Sequence, residues 1–402
     1  MADNNENKVL NVPPLRFPEF SGEWDSFKLV ELGKFIGGGT PSSSKLSFWT
    51  GSIPWISSSD IKEDNINNIS ISRYITEEAI EKSATKYCPA PVILIVSRVG
   101  VGKVALSHTS LCTSQDFCNI IEIKCHPVFL SYNLLRTMKR KSREVQGTSI
   151  KGITSDELQK MRVFIPKNKD EQNKISNLLT LLDERIATQN KIIEDLKKLK
   201  SAIVEMLLCN RNSELLKLGD IGYFVRGLTY ANEDVTENKA ATAVIRANNL
   251  NYGNHVDKGE VVYVSRTPAT SQILQKGDIV ICMANGSSAL VGKNSYYPFN
   301  DGQSTVGAFC GIYRTSHPLA KWLMQSRRYK RLVYQSLQGG NGAIANLNGD
   351  DILNMSFPVM EKEKSKSIIF ILETIEKSLA VNKGLQRSYS TQKSHLLKQM
   401  FI

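Results

Sequence analysis

Two stretches of the chain carry apolar residues at alternating four- and three-residue spacing. The first runs from residue 175 to 207, and the second, 193 residues further along, runs from 368 to 400. Side chains at this spacing lie on one stripe of an α-helix, and a second helix can cover that stripe. The pattern therefore predicts two long helices that pack on each other along an apolar seam.

The predicted seam residues occupy matching positions in the two helices. Lys200 and Lys393 interrupt the stripes at the same point of the repeat. Three interpretations of these lysines stay open: they snorkel to solvent, they pair with acidic groups of a partner, or they mark where the helices diverge. The predicted seam residues are Ile175, Leu179, Leu182, Ile186, Ile193, Leu196, Ile203 and Leu207 in the first helix, and Ile368, Leu372, Ile375, Leu379, Leu396 and Met400 in the second.

The repeat also covers the segments around the helices. Residues 27–33 return as 216–222, and the glycine-rich loop at 147–153 returns as 340–344. Between these segments the two halves differ strongly, with short strand-like runs and one or two helices in each. We therefore predict an α+β protein of two similar globular domains joined by two long helices.

The composition is that of a globular protein with an excess of positive charge. The chain has 402 residues, of which 41% are hydrophobic, and a formal net charge of +12. No apolar run is long enough to span a bilayer, and the N-terminus lacks the basic and apolar regions of a secretory signal. The seven cysteines include no C-x-x-C pair. These features predict a cytoplasmic protein without a membrane partner or a disulfide framework.

Two basic clusters precede the glycine-rich loops at the same point of both repeats. Positive charge at matching positions favours contact with the phosphates of a polyanion over a merely solvated face, and such contacts weaken steeply with salt. The predicted phosphate-binding residues are Lys139, Arg140, Lys141 and Arg143 in the first cluster, and Arg327, Arg328, Lys330 and Arg331 in the second.

Sequence signatures of catalysis are missing. A phosphate-binding loop requires G-x-x-x-x-G-K-[ST], but Ser97 stands at the first glycine position and Val104 follows Lys103, so this segment predicts a turn between strands. The five histidines show no metal-ligand spacing, and no nucleophile elbow or N-P-P-[YF] loop of an amino-methyltransferase occurs. The sequence therefore favours recognition over chemistry, with no metal and no catalytic residue.

A series of short motifs accompanies the duplicated frame, and their order is more specific than any one of them. They are residues 14–20 with Trp24, 38–42, 53–57, 165–166, 171–175 and 182–186. With the duplicated frame they make the chain similar, over essentially its whole length, to the specificity subunit of a type I restriction–modification system. The second copy departs from the pattern, because Lys364 and Ser365 replace Glu171 and Gln172 and Pro358 lies two residues early.

This resemblance implies an organisation and a function. The two similar domains are expected to have pseudo-two-fold symmetry, and the two long helices that join them are expected to form an antiparallel coiled coil. It divides the chain into an N-terminal lead with target-recognition domain 1 (1–168), a central conserved long helix (169–210), target-recognition domain 2 (211–360) and a C-terminal conserved long helix (361–402). Each recognition domain is expected to read one half of a bipartite, gapped duplex DNA target. The helices are expected to set the spacing between the halves and to dock the methyltransferase subunits.

The resemblance also implies partners and cofactors. The expected partners are double-stranded DNA, two methyltransferase (modification) subunits and restriction (nuclease–translocase) subunits. DNA adenine methylation and endonuclease activity would belong to the assembled complex, while this chain is a non-catalytic recognition subunit. No cofactor is expected on this chain; S-adenosylmethionine, ATP and Mg are expected on the partner subunits.

Base reading requires side chains that pair with groove edges, mainly Arg, Lys, Asn, Gln, Ser and Thr. The alternative for each candidate is a turn-forming or solvated residue, since Asn and Gly clusters are common turn chemistry. The candidate base-reading residues are Thr40, Ser57, Ser59, Arg98, Thr148 and Lys151 in the first domain, and Arg226, Arg246, Asn248, Asn249, Asn285 and Asn341 in the second.

Two other classes of function stay open at this point. The first is a non-catalytic coiled-coil adaptor that binds proteins or other ligands without DNA specificity, for which binding would not depend on the basic clusters. The second is an enzyme with an unrecognised site, which methyl transfer by the purified chain alone would establish.

Overall fold

The structure is a computed structural model that describes residues 10–145, 152–208, 214–337 and 345–402. It divides into two compact units: unit 1 consists of residues 1–190 and 384–402, and unit 2 of residues 191–383. Each unit thus contains half of each long helix. The domain bounds inferred from the sequence, which separate the helices from the recognition domains, stay a prediction.

Unit 1 is built from two four-stranded sheets. Their strand orders are β2-β9-β6-β7 and β4-β3-β8-β5, and β1 pairs separately with β10. The elements of unit 1 are β1 (Asp25–Lys28), β2 (Lys34–Gly37), β3 (Ile53–Ile56), β4 (Arg73–Ile75), α1 (Glu77–Glu81), β5 (Tyr87–Cys88), β6 (Val92–Val96), β7 (Val104–Ser107), β8 (Leu111–Thr113), β9 (Phe117–Ile121), α2 (Pro127–Val145), α3 (Ser155–Lys160), β10 (Arg162–Ile165) and the first half of α4 (Lys169–Met206).

The apolar run of β6 forms the centre of unit 1. All five of its side chains are buried, because Ile93 and Ile95 pack into one hydrophobic cluster and the other three side chains pack into a second cluster on the opposite face. An unbroken apolar run, with no polar alternation, is what a strand covered on both faces requires. Burying each Val, Leu or Ile side chain stabilises the fold by about 1.5–3 kcal/mol.

The N-terminal segment is fastened to the start of α4 by an ion pair. Arg16 Nε and Nη2 donate to the two carboxylate oxygens of Glu171 at 2.7 and 2.8 Å, and Trp24 Nε1 donates to the same carboxylate at 3.2 Å. Glu171 is almost fully buried, so this bidentate pair fixes the segment where α4 begins. Two motifs that are remote in the sequence, residues 14–20 with Trp24 and residues 171–175, therefore meet in one contact.

Unit 2 has the same central strand pairs with different side chains, and its second sheet differs at the edge strands. Its sheets have the orders β12-β20-β16-β18 and β13-β15-β14-β19, while β11 pairs with β22 and β17 with β21. The elements of unit 2 are β11 (Glu214–Lys217), α5 (Leu218–Ile221), β12 (Tyr223–Arg226), β13 (Val235–Thr236), β14 (Thr242–Ile245), β15 (Val262–Val264), β16 (Ile279–Cys282), β17 (Ala284–Asn285), β18 (Asn294–Tyr296), β19 (Ser304–Val306), β20 (Cys310–Arg314), α6 (Ala320–Leu323), α7 (Arg327–Leu337), β21 (Ala345–Asn346), α8 (Gly349–Leu353), β22 (Ser356–Val359) and the first half of α9 (Lys362–Gln399).

The strand pairs of the two units correspond one to one at their centres. The parallel pair β3–β8 in unit 1 matches the parallel pair β14–β19 in unit 2. The antiparallel set β2-β9-β6-β7 likewise matches β12-β20-β16-β18. The α+β class and the duplicated unit predicted from the sequence are therefore confirmed.

The two long helices run antiparallel within each unit. In unit 1, Ile175 near the start of α4 shares a core with Met400 near the end of the chain. In unit 2, Ile193 packs with Ile375 and Leu379 of α9. Every predicted seam residue is buried or half-buried. The periodicity thus predicted the helices and their packing, and the antiparallel direction agrees with what the family resemblance implied.

The two lysines in the seam pair with acidic residues of this chain. Lys393 binds the carboxylate of Asp183 in unit 1, and Lys200 Nζ lies 2.9 Å from Glu376 Oε1 in unit 2. Lys393 and Asp183 are each only 4% exposed, so the ion pair in unit 1 is buried. Among the interpretations left open by the sequence, ion pairing is the one the structure shows, and both partners belong to the same chain.

Polar side chains set two helix boundaries. α6 ends at Leu323 and α7 begins at Arg327. Ser326 breaks the helix because its hydroxyl accepts the Tyr329 N–H at 3.2 Å, which is an N-cap contact. Similarly, Asp170 lies inside the first turn of α4, and the Asn168 side chain accepts its N–H at 2.8 Å.

Candidate nucleic-acid interface

Four loops of unit 1 meet at the ends of its two sheets, and we call them loop edge 1: residues 38–40, 57–60, 97–103 and 114–116. Backbone hydrogen bonds join the last of these loops, together with the preceding residue Thr113, to each of the other three loops or to the residue just before it. Gly39 N donates to Thr113 O at 2.8 Å, Ser114 N to Ile56 O at 2.9 Å, and Ser97 N to Asp116 O at 2.8 Å. The candidates Thr40, Ser57, Ser59 and Arg98 all lie on this edge.

The glycine pair before Thr40 lets its loop approach the neighbouring backbone. A Cβ atom on Gly38 would lie 2.0 Å from Ser114 O, and one on Gly39 would lie 2.3 Å from the Ala84 backbone. Only glycine fits these two positions. The approach leaves Thr40 exposed, with its hydroxyl bonded to the Gln115 side chain. These two polar groups form one end of the edge.

Ser57 is committed to contacts inside unit 1. Its hydroxyl donates to Asp60 Oδ2 at 3.0 Å and accepts from Arg73 Nη2 at 2.7 Å, and its N–H donates to the same Asp60 oxygen at 2.7 Å. Ser59 is exposed, and its hydroxyl lies 2.9 Å from that of Ser57. Ser59 and Arg73 therefore present more free polar surface than Ser57 does.

The turn 97–103 carries positive charge beside the end of α2. Arg98 is exposed, and Lys103 Nζ donates to Ser58 O at 3.1 Å. Gly102, with a φ of +110°, packs against Ser142 of α2, so a Cβ atom there would lie 3.0 Å from the serine Cβ. This contact brings the basic end of α2 next to loop edge 1.

The first basic cluster is only partly available to a ligand. Lys139 Nζ pairs with Asp64 Oδ1 at 2.6 Å, and Lys141 is half-buried. Arg140 and Arg143 are exposed. The candidate base-reading residues Thr148, Lys151 and Asn341 lie outside the described residues.

Loop edge 2 is the corresponding surface of unit 2 and comprises residues 227–230, 246–249, 283–286 and 307–309. It encloses a cavity of about 660 Å³ whose lining includes Arg246, Asn248 and Asn285. Tyr230 and Phe309 also line it, and Phe309 is 69% exposed. Three of the candidates thus face one cavity, together with two aromatic rings that can contact a base.

Asn249 holds its loop through its side chain. It is buried, its Oδ1 accepts the Arg246 N–H at 2.9 Å, and its amide donates to Asp257 O and Glu260 O at 3.0 and 3.1 Å. Asp60 caps the matching turn of unit 1 in the same way. The side-chain oxygen and amide of Asn249 thus have partners inside the unit, which makes this residue less suited to base reading than Arg246 or Asn248.

The remaining candidates of unit 2 lie away from this cavity. Arg226 is exposed at the end of β12. In the second basic cluster, Arg328 Nε donates to Ser356 O at 2.8 Å and fastens α7 to β22. Arg327 and Arg331 are exposed. Arg328 thus has a structural contact, while the other two present charge to solvent.

The N-terminal part of the chain is similar to a known family. Residues 21–198 match the profile of the family described as the type I restriction modification DNA specificity domain. The similarity covers this part of the chain and ends before the first strand of unit 2. Loop edge 1 lies within the matched specificity domain, whereas loop edge 2 lies outside it and is related to it through the repeated topology.

Curated relatives match the chain over stretches about as long as the one that matches the family profile. The type I restriction enzyme MjaIX specificity subunit of Methanocaldococcus jannaschii is 34% identical over 186 residues, which is 44% of this chain and 42% of that protein. The EcoR124I/EcoR124II specificity subunit of Escherichia coli is 35% identical over 192 residues, 46% of each. The matches thus span less than half the length of these relatives.

A solved structure shares the fold over nearly the whole chain. The type I restriction–modification S subunit from M. genitalium superposes with a TM-score of 0.61 at 17% sequence identity, covering 97% of this chain and 99% of that one. At this identity the likeness shows the fold. It extends to unit 2, which the family profile does not reach.

Sequence reasoning missed several polar and aromatic residues of the two edges. Gln115, Arg73 and Lys103 lie on or beside loop edge 1, and Tyr230 and Phe309 line the cavity of edge 2. The exposed position of Phe309 follows a Gly-Ala pair at 307–308, which is a turn signal. The other four carry no local signal, because the tertiary contacts of the loops bring them together.

The described part of the chain contains neither a cluster of metal-binding side chains nor a helix that could span a membrane. Among these residues no group of three or more His, Cys, Asp or Glu side chains is arranged to hold a metal ion. Within the same ranges, no helix combines the length and apolar character needed to cross a bilayer.

Proposed function

We propose that this chain is the DNA sequence-specificity subunit of a type I restriction–modification complex. Each unit reads one half of a bipartite, gapped duplex target. The chain itself is non-catalytic and acts in the cytoplasm. Methylation, cleavage and their cofactors S-adenosylmethionine, ATP and Mg belong to the methyltransferase and restriction subunits it assembles with.

One observation carries this proposal: the two units share a frame but present different loop edges. Edge 1 offers hydroxyl, amide and guanidinium groups, while edge 2 offers Arg246, Asn248 and Asn285 around a cavity with aromatic walls. Groups of these types pair with base edges in the major groove. Two unlike surfaces on one repeated frame suit a target whose halves have different sequences.

The long helices support the expected spacing and docking roles. Helix α4 (Lys169–Met206) and helix α9 (Lys362–Gln399) both pass from one unit into the other. At about 1.5 Å rise per residue, changing their length changes the separation of what they carry. Their outer faces expose apolar side chains such as Leu181, Ile192 and Phe370, which methyltransferase subunits would cover.

The proposed contacts are narrower than the sequence prediction. For base reading we retain Thr40, Ser59, Arg98, Arg246, Asn248 and Asn285, with Arg226 and Ser57 at the margin of the surface. For phosphate binding we retain Arg140, Arg143, Arg327 and Arg331, which are exposed. Lys139 and Arg328 are less suited, because each already has a partner inside its unit.

Replacing Arg246 tests the assignment of loop edge 2. Arg246→Ala should relax one base position in one half of the target and leave the other half unchanged. We expect a loss of about 1–3 kcal/mol in specific binding, the usual contribution of one bidentate base contact. Selection from random-sequence duplexes, with the chain assembled with its methyltransferase subunits, measures both effects.

A matched arginine in the same unit provides the control. Arg266 is 55% exposed and lies 3.8 Å from Asp234, outside loop edge 2. Arg266→Ala should leave the selected sequence unchanged. A uniform loss of affinity for all duplexes in Arg246→Ala, with no position relaxed, would show that Arg246 contacts the backbone and does not read a base.

A further inference from the structure

Unit 2 contains a recess of about 1080 Å³ against the second half of α4, and we call it the lysine recess. Its lining includes Lys200 of α4, Tyr252, Lys293, and Lys330 and Val333 of α7. Tyr252 is 53% exposed. The recess adjoins the cavity of loop edge 2 at Gly286, and the proposed DNA contacts do not include its lysines.

The helices identify the corresponding place in unit 1. Lys393 Nζ lies 5.4 Å from the Tyr132 ring in unit 1, and Lys200 Nζ lies 5.3 Å from the Trp322 ring in unit 2. Lys393 and Lys200 therefore occupy equivalent positions in the two units.

The turn before β7 packs against Ser142 of α2, just as the turn before β18 packs against Val333 of α7. Lys139 precedes Ser142 by three residues, and Lys330 precedes Val333 by three residues. The two lysines therefore correspond.

The loops match as well. A β7 amide donates to Ile66 O at 2.8 Å, and a β18 amide donates to Asn254 O at 3.0 Å. Two residues earlier, Asp64 and Tyr252 both have positive φ, +61° and +25°. Non-glycine residues rarely adopt this conformation, so the shared positive φ supports the match of Asp64 with Tyr252.

In unit 1 this place is filled by the chain itself. The Asp64 carboxylate lies 2.6 Å from Lys139 Nζ, and the Asp64 carbonyl accepts from Lys393 Nζ at 2.6 Å. The Ile66 side chain two residues later is fully buried. An acidic residue followed by an apolar residue therefore satisfies the lysines and fills the apolar floor.

In unit 2 the same place lacks both the acidic side chain that corresponds to Asp64 and the apolar side chain that corresponds to Ile66. Tyr252 replaces Asp64, and the Lys293 and Lys330 ammonium groups lie 5.4 and 5.9 Å from its ring centre. Within the described parts of unit 2, neither lysine forms an ion pair. Asn254 replaces Ile66 and leaves an open recess. The unit thus presents two lysines with no carboxylate partner among those residues, beside an apolar wall.

We propose that the lysine recess binds a peptide segment of a partner protein, with an acidic residue on Lys293 and Lys330 and an apolar residue two positions later. Unit 1 provides the internal precedent, since residues 64–66 make these contacts there. The charges are complementary, and desolvated charge-assisted hydrogen bonds of this kind are strong. The site goes beyond DNA reading and does not depend on it.

The shape of the site favours a peptide over a duplex backbone. Val204 of α4 and Val333 of α7 line the recess beside the lysines. Phosphates on the convex surface of a duplex gain nothing from apolar walls, whereas a peptide buries an apolar side chain there. Base-independent DNA contacts instead use exposed arginines and lysines on open surfaces.

Peptide binding to the full chain tests the proposal. The probe is a fluorescein-labelled peptide with the sequence of residues 61–69, and fluorescence anisotropy measures its affinity. We expect saturable binding that weakens about tenfold when the aspartate at position 64 of the peptide is replaced by asparagine. Absence of saturable binding up to about 1 mM peptide, equivalent to about −4 kcal/mol, would overturn the proposal.

Variants of the chain locate the binding site. Lys330→Glu should weaken the peptide about tenfold, since it turns an attraction into a repulsion. Tyr252→Asp should have a similar effect, because it supplies an internal carboxylate like that of Asp64. Lys276→Glu, an exposed lysine outside the recess, should change the affinity less than about twofold. Thermal unfolding confirms that each variant is folded.

Two results would contradict this location. One is an equal loss of peptide affinity in Lys330→Glu and Lys276→Glu, which would indicate only a general charge effect. The other is a fall in duplex DNA affinity in Lys330→Glu with peptide affinity unchanged, which would make Lys330 a phosphate contact.

Discussion

Replacing Lys393 by alanine is expected to lower the free energy of unfolding of unit 1 by about 3–5 kcal/mol, the cost of leaving one buried charge without its partner. Lys393 and Asp183 are each only 4% exposed. Tyr132 donates its hydroxyl to the other Asp183 oxygen at 2.8 Å. Without Lys393, the Asp183 carboxylate would keep that single donor in a buried site.

The equivalent lysine of unit 2 is the matched control. Lys200 and Glu376 are 12% and 27% exposed, and Glu376 keeps a second partner, Lys321, at 3.2 Å. Lys200→Ala should therefore cost only about 1 kcal/mol. Urea denaturation followed by tryptophan fluorescence measures both variants, with Trp24 reporting on unit 1, where it packs against Phe129.

A double replacement separates charge from packing. Burial lowers the pKa of the Lys393 ammonium, and Asp183 opposes that shift, so the pair is costly to desolvate. Exchanging both groups for apolar ones, Lys393→Met with Asp183→Leu, should recover most of the lost stability. Equal and small losses in Lys393→Ala and Lys200→Ala would contradict the buried pair as a main support of unit 1.

The second large effect concerns the proposed spacing role of the helices. Inserting seven residues after Asn190 and seven after Lys383, where the units divide, should lengthen the gap in the DNA target by about three base pairs. Seven residues preserve the seam to within about 20° of rotation and add about 10.5 Å, and a base pair occupies about 3.4 Å. Both half-sites should keep their sequences.

Target selection from random duplexes measures the gap directly. Seven residues inserted into α4 alone provide the control. With α9 unchanged, the pairs Lys393–Asp183 and Lys200–Glu376 cannot both keep their register, so this variant should be destabilised. A double-insertion variant that folds, binds the same half-sites and keeps the original gap would contradict the spacing role.

The long helices were predictable because their signal is local. The seam from Ile175 to Leu207 repeats within every two turns, and α4 needs no distant information to form. The continuous apolar run of β6 was predictable for the same reason. The break between α6 and α7 was not predictable from the sequence. It depends on Ser326, which caps the start of α7 by accepting the Tyr329 N–H, and serine is also common inside helices.

The candidate site was predictable only in outline. Residue types identified Arg246, Asn248 and Asn285, and the fold brings them to one cavity. Asn249 has the same chemistry, but its partners Asp257 and Glu260 lie 8 and 11 residues away. Whether an asparagine reads a base or holds a loop depends on such contacts, which no local pattern contains.

The same limit applies to the basic clusters. Lys139 and Arg328 look equivalent to their neighbours in sequence, yet each has a partner remote in the chain. Asp64 lies 75 residues before Lys139, and Ser356 lies 28 residues after Arg328. Asp64 and Tyr252 likewise correspond only by their place in the two folded units, because the loops that carry them share no recognisable sequence.

Exchanging residues 213–360 for the equivalent segment of a type I specificity subunit tests the proposed division of the DNA target between the two units most directly. Sequencing the methylated sites of cells that carry the chimaera with its methyltransferase gives the target. If each unit reads its own half-site, one half of the bipartite sequence changes while the other half and the gap length are retained. A change in both halves, or in neither, would contradict the account.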